Sequence, residues 1–374
     1  MIFNYNFKNY NFRLLLYVLA LNVIGILVIN SASGQDEGMV MKQMMGIALG
    51  LAMALVISLI PYQKLFAYSW GIYGGCIAIL LAVLVFGRNV NGATRWIEIA
   101  GIQFQPSEFV KHGLIVFGAW FLDKNVESLN SVKTLALIAA VFAVPVVLIL
   151  EEPNLSTTLV IMFVLACMIF VAGLSYRWIL GALAVVTPVF GLLIYLARFT
   201  DVLTRVPFLR GYQVTRVLAW LNPDEYASTG YQQANSIMAI GSGMLHGKGL
   251  NNNTLASVKN GNFLAEAQTD FIFAVIGEEL GFIGCMVVIG LFAVLVFECL
   301  WTGHRAKDLP GKLIGCGVAA LLSFQTFTNI AVATGIFPNT GIPLPFISYG
   351  VSSLVSMYIG LGVLLNVGLQ RNTH

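Results

Sequence analysis

The chain has 374 residues, is 58% hydrophobic and only 10% charged, and carries a formal net charge of +3, with a mean hydropathy of +0.84. Soluble domains carry roughly 25% charged residues, so this composition excludes a water-soluble enzyme and a nucleic-acid-binding surface and leaves a polytopic membrane protein. Lipid admits only helices or closed barrels as spans, and the apolar runs are too long for barrel strands, so the expected fold is all-α.

A spanning helix needs about 20 mainly apolar residues. Ten segments qualify: 12–31, 43–60, 68–86, 104–121, 132–150, 155–173, 176–197, 270–299, 311–335 and 346–368. The first is a full-length span rather than a short cleavable one and is expected to be retained. Spans four and six carry the weakest apolar signal, and the fourth contains Pro106, Glu108, Lys111 and His112. The five cysteines (Cys76, Cys167, Cys285, Cys299 and Cys316) lie in or beside apolar segments and read as small packing residues, with no metal motif and no disulfide.

Lys and Arg in the short loops set the orientation. With the N-terminus inside, ten lie on the cytoplasmic side (Lys8, Arg13, Lys64, Lys124, Lys133, Arg177, Arg305, Lys307, Lys312 and Arg371) against three outside (Lys42, Arg88 and Arg95). Both termini are therefore expected in the cytoplasm, and the long segment 198–269 on the outer face. That segment has its own organisation. Residues 201–221 show helix-like spacing with Arg205, Arg210 and Arg216 interspersed, Pro223-Asp224 marks a turn, and 229–245 reads as a second helix. A connection this long is expected to be functional. The whole reads as a single membrane domain over 1–374.

Four polar groups interrupt the apolar pattern. Asp270 stands where the polar loop re-enters span eight, and an ionisable residue at a membrane helix is a functional-site candidate. The plainer alternative is a first-turn charge favoured by the helix dipole, with Thr269 as cap. Glu278 and Glu279 lie eight and nine residues on, and at 100° per residue Glu279 faces away from Asp270, which argues against a paired-carboxylate site. Arg95-Trp96, in the loop between spans three and four, reads as an interfacial aromatic with a basic neighbour or as an anchor for an anionic headgroup. Glu108 and Lys111, three apart on one helix face, are expected to pair and to face a cavity. The stretch 341–350, containing Pro343, Pro345, Ser348 and Tyr349, suggests irregular backbone, which survives at membrane depth only when buried in protein or lining a wet cavity. By topology these groups converge at one face.

Together these segments resemble the SEDS family (shape, elongation, division and sporulation proteins) of the RodA/FtsW type. The matching stretches are Gly92-Ala93-Thr94-Arg95-Trp96-Ile97, Gln105-Pro106-Ser107-Glu108-Phe109-Val110-Lys111, Asn222-Pro223, Gly230-Tyr231-Gln232, Thr269-Asp270-Phe271-Ile272-Phe273-Ala274-Val275, Glu278-Glu279-Leu280-Gly281 and 341–350. The resemblance implies a peptidoglycan glycosyltransferase that polymerises lipid II on the outer face of the bacterial cytoplasmic membrane. It also implies a class B penicillin-binding protein as partner, and a role in elongation, division or sporulation. The family's essential aspartate falls on Asp270, its outer-loop Trp on Trp96, and its fourth-helix Glu and Lys on Glu108 and Lys111. Two stretches depart from the family pattern. Glu152-Pro153-Asn154 replaces Gln-Pro-Asp, and Val351 replaces a glycine after Tyr349-Gly350.

On this reading Asp270 is the general base for the acceptor hydroxyl. Arg95 and Lys111, with Arg210 or Arg216, hold the diphosphate leaving group, and Glu108 orients Lys111. Trp96, Ser348 and Tyr349 complete the substrate site. One base suffices because diphosphate is a good leaving group. The reading names no definite cofactor, and a divalent cation, magnesium or manganese, could assist. A lipid II flippase and a non-catalytic scaffold for the transpeptidase are the competing expectations.

Overall fold

The computed structural model describes residues 9–90, 93–99, 102–199, 203, 211–251, 264 and 267–370. In chain order the helices are α1 (Phe12–Ala32), α2 (Glu37–Ser58), a short α3 (Tyr62–Ala67) and α4 (Ser69–Phe86). Three strands follow, β1 (Arg88–Val90), β2 (Ala93–Ile99) and β3 (Ile102–Phe104). Then come α5 (Pro106–Lys124), α6 (Val132–Glu151), α7 (Leu155–Val171), α8 (Tyr176–Phe199), α9 (Gly211–Leu221), α10 (Ala227–Ser242), α11 (Ile272–His304), α12 (Leu309–Ala333) and α13 (Val351–Leu369). Every predicted span has its helix. Eight meet the length and hydropathy expected of a membrane crossing. The other two are α5, which carries four charges, and α7, which has 17 residues, and they correspond to the two weakest segments of the sequence.

Local signals explain where the helices start. Asp36 accepts from the Gly38 and Met39 N–H groups to cap α2, Ser131 accepts from Thr134 to cap α6, and Asp308 accepts from Gly311 to cap α12. The helices α12 and α13 are mostly buried and form the axis of the bundle; α2 lies along α13, and α11, α7 and α5 surround α12. By contrast, α8 buries almost nothing and contacts mainly α9, and large apolar side chains are exposed along it and on α1, α2, α4 and α6. An apolar, unburied surface of this kind suits a lipid solvent.

The small sheet corrects one expectation. The Arg95-Trp96 loop, read as a connection, is an antiparallel β1-β2-β3 sheet in which Arg88 pairs with Trp96 and Ile97 with Phe104. Its strands are too short and too polar for a periodic signal to emerge. For the same reason the fourth span begins at Pro106 rather than 104, with proline at the first helical position where it costs no hydrogen bond.

The long loop segment is also built. Of 201–221, residues 211–221 form α9 and most of 201–210 lies outside the described residues, whereas 229–245 corresponds to α10. Side chains of these two helices bond the carbonyls left over at the end of α12. Trp220 donates to Gly335, Gln233 to Val332 and Phe337, and Ser236 to Ala333. The stretch after α10 then docks on α11 where that helix breaks, at Gly281 (φ 67°, ψ −166°). There Lys248 and Gly249 donate backbone N–H groups to Glu278 and Glu279, while Phe282 and Ile283 donate to Met244 and Leu245. Contact is backbone on backbone. A Cβ at Gly243 would overlap the Gly277 carbonyl, and one at Gly247 the Glu279 carbonyl.

Candidate active site

Asp270 does not lie in a helix. The first residue of α11 is Ile272, Phe271 occupies the cap position, and no side chain caps the helix. The expectations of a first-turn charge and a Thr269 cap are thereby corrected, and so is the angular argument, because the helix it assumed starts only at Ile272. The physical reason lies in the 341–350 stretch, which claims the preceding backbone. Tyr349 donates its N–H to the Gln268 carbonyl (2.9 Å), Ser348 donates its hydroxyl to Thr269 (2.6 Å), and Asn329 donates to the Asp270 carbonyl (2.8 Å). Asn329 also bonds the Ile342 carbonyl (2.8 Å), and Ser348 accepts from the Leu344 N–H, so the two irregular segments are knitted into one. Ser348 and Tyr349 thus position Asp270. Glu278 and Glu279 are engaged elsewhere, with Lys248 (2.7 Å) and with Ser31 (2.5 Å).

Beside this turn lies a polar cavity of about 70 Å³ whose wall includes Arg95, Trp96, Glu108, Lys111, Asn154 and Gly341. That is room for a couple of water molecules at roughly 30 Å³ each. Glu108 and Lys111 form the expected pair at 2.8 Å, both buried, and the second Glu108 oxygen accepts from Ser353 (3.0 Å). Buried charges need such pairing, and with both oxygens occupied the carboxylate fixes the ammonium on the wall. Asp270 itself is not on this wall. It stands behind Gly341 (φ +71°), where an added Cβ would lie 3.3 Å from Asp270 Oδ2 and 3.7 Å from Arg216 Nη1. Gly341 therefore separates a carboxylate from a cation-lined cavity, and its missing side chain keeps them close.

Arg95 reaches the cavity from β2. Its guanidinium donates to the backbone carbonyls of Glu152 (3.2 Å) and Pro153 and to the Tyr212 hydroxyl. The Tyr212 ring lies between Arg95 and Arg216, with guanidinium carbons 5.8 and 5.7 Å from its centroid. Arg216 extends on to the Asn339 carbonyl (3.5 Å). Arg95, Trp96, Glu108, Lys111 and Arg216 thus come together with Asp270, while Arg210 lies outside the described residues. Asn154 caps α7 through the Thr157 N–H and bonds Ser107. Tyr212 and Asn329 escaped the sequence reading, and Ser353 and Glu152 had no role in it. For Asn329 there was a signal, a polar residue deep in an apolar span.

Among the described residues no three His, Cys, Asp or Glu side chains converge as metal ligands. The cavity's carboxylate, Glu108, is committed to Lys111 and Ser353. Burial pulls the Arg95 guanidinium below its usual range, a tendency opposed by Tyr212 and Glu152.

Residues 12–373 match the cell cycle protein family model FtsW/RodA/SpoVE. The chain is 34% identical over 359 residues to the peptidoglycan glycosyltransferase MrdB of Escherichia coli K12, covering 96% of this chain and 93% of that protein. It is 35% identical over 369 residues to a probable peptidoglycan glycosyltransferase FtsW of Geobacter metallireducens, covering 96% and 94%. Among solved structures it resembles Thermus thermophilus rod shape determining protein RodA (TM-score 0.69, 28% identity, 99% of both chains). It also resembles a chain from a peptidoglycan synthase complex described as coordinating polymerization and crosslinking (TM-score 0.76, 29% identity, 96% and 97%).

Proposed function

Since this chain belongs to the FtsW/RodA/SpoVE family of cell cycle proteins and is a multi-pass membrane peptidoglycan glycosyltransferase, we propose that it polymerises lipid II with Asp270 as the general base. The observation that carries this reading is the placement of Asp270, clamped through its backbone by Ser348, Tyr349 and Asn329 and set behind Gly341 from a cavity bearing Arg95 and Lys111.

The acceptor sugar hydroxyl loses its proton to the Asp270 carboxylate as its oxygen bonds to the donor's anomeric carbon. The bond from that carbon to the diphosphate oxygen breaks with its electrons staying on the diphosphate, which leaves as an anion, and the anomeric centre inverts. Lys111, held by Glu108, and Arg95 and Arg216, held by Tyr212, meet the charge as it develops. Donor and acceptor approach from opposite sides of Gly341, and no step requires a cofactor. The excess of Lys and Arg in the loops of the opposite bundle end supports an outer-face site with both termini cytoplasmic, as lipid II polymerisation demands. The peptidoglycan synthase complex among the similar structures supports a class B penicillin-binding protein as partner. Glu278 and Glu279, each tied to a partner at the same bundle end, do not supply the midplane charges a flippase would need.

The test is polymerisation of purified lipid II by this chain, with and without its transpeptidase partner, comparing wild type with Asp270→Asn. Glycan strands from the wild type alone support the reading; equal product from both proteins sinks the base assignment.

A further inference from the structure

Glu152 follows the last residue of α6 and has no place in the mechanism above. Its side chain is fully buried and neither carboxylate oxygen has a hydrogen-bond partner. Burying a carboxylate without a partner is costly, and such a group is either neutral or facing a counter-ion. The cation beside it is Arg95, whose guanidinium bonds the main-chain carbonyls of Glu152 and Pro153 but leaves the carboxyl unbonded. The other ionisable groups around Arg95 are Tyr212 and Arg216 on α9 and, across the cavity, Glu108 and Lys111 on α5.

We propose that Glu152 is a positioning residue for Arg95, an internal counter-ion that competes with the substrate's diphosphate for the guanidinium. With its proton on, Glu152 leaves Arg95 turned to the cavity and to an incoming diphosphate. With its proton off, the carboxylate draws Arg95 onto itself and adds a negative charge behind the site, so diphosphate binding weakens. Burial pushes the Glu152 carboxyl up to about 8 although Arg95 pulls it down, which brings the exchange into an accessible pH range. The inference rests on the reading of Arg95 as a diphosphate partner.

The test is the pH profile of lipid II polymerisation between pH 7 and 9.5 for wild type, Glu152→Gln and Glu152→Asp. The expected result is a KM that rises about tenfold in the wild type, the scale of one charge-assisted hydrogen bond. In Glu152→Gln it should rise less than about twofold, and in Glu152→Asp the rise should persist. Parallel profiles in wild type and Glu152→Gln, or a change confined to kcat, overturn the proposal. Arg95→Gln separates the two readings. A raised KM at pH 7 supports the diphosphate role, leaving any failure to Glu152 alone, whereas an unchanged KM overturns both. Thermal stabilisation by undecaprenyl diphosphate at pH 7 and 9.5 tests Glu152 without turnover. Stabilisation that fades with pH only in the wild type supports the proposal, and equal behaviour in Glu152→Gln overturns it.

Discussion

The two ends of the bundle both bury polar groups, but they use them differently. At the end holding α3 and the start of α12, a chain of buried groups closes on itself, although Gln63 Nε2 beside it has no partner. Asn366 donates to Ser58 and accepts from the Tyr62 N–H, while the Tyr62 hydroxyl donates to Asp308, which also caps α12. At the sheet end polar groups surround a cavity, two guanidinium groups lie over one tyrosine, and the Glu152 carboxylate accepts no hydrogen bond. Burial of polar groups alone does not distinguish structure from function. What distinguishes them is whether the bonds close on the protein or leave capacity facing open space.

The comparison is broken most sharply at Asp270. Asp270→Asn is expected to lower lipid II polymerisation by roughly 100-fold or more, the lower range for a lost general base, with little change in melting temperature. Undiminished product would place the sheet end in the same structural class as its opposite. Next is Lys111→Met, which leaves Glu108 buried without its cation and is expected to cost about 3–5 kcal/mol, seen as a large fall in thermal stability in detergent. The double variant Glu108→Gln with Lys111→Met should recover much of that stability without recovering activity. If both return, the pair is structural and the contrast between the ends weakens.

A smaller effect is expected from Asn366→Ala at the opposite end. It leaves the Tyr62 N–H and the Ser58 carbonyl unpaired, at about 1–3 kcal/mol, so the melting temperature should fall while turnover per folded molecule stays near wild type. Gly341→Ala should cost about 1–2 kcal/mol from its positive φ and reduce turnover roughly tenfold by crowding Asp270. A turnover loss no larger than the loss of folded protein would remove Gly341 from the site.

A further signal is in the pH dependence of stability. Glu152 holds its proton to about pH 8 in the folded protein but ionises near the ordinary glutamate value of 4.5 when unfolded. The folded state therefore binds the extra proton between these values, and stability falls as pH rises through that window. Melting curves across pH 5–8 should slope downward for the wild type and flatten in Glu152→Gln.

The helices were legible because long apolar runs leave lipid-exposed chains no other structure, and α5 and α7 were weak in sequence for the same reasons they fall short in the structure. The pair Glu108–Lys111 was legible because spacing on one helix is local. Asp270 was legible as a residue but not as a place. Its position outside α11 depends on bonds from Ser348, Tyr349 and Asn329, which lie 59 or more residues away in the chain. Tyr212 was hidden among arginines in an amphipathic segment. Glu152 sat in a stretch noticed only as a departure from a pattern, and nothing local in the sequence announces that α6 ends by burying a carboxylate against a guanidinium carried by β2.

The seam between the segment after α10 and the break in α11 sets a different kind of limit. It is made where Gly243 and Gly247 meet the backbone of Gly277, Glu279 and Gly281. No residue is smaller than glycine, so natural variation cannot trim this contact, only enlarge it and force the chains apart. At the two glycines the contact is made by backbone, which has no rotamer to adjust, while the Lys248–Glu278 ion pair lies beside it. Changes elsewhere in the site can be graded, by shortening a side chain or moving a charge. Here the permitted variation is all or nothing, and the joint carries displacement between α10 and the first turns of α11 like a rigid coupling rather than a spring.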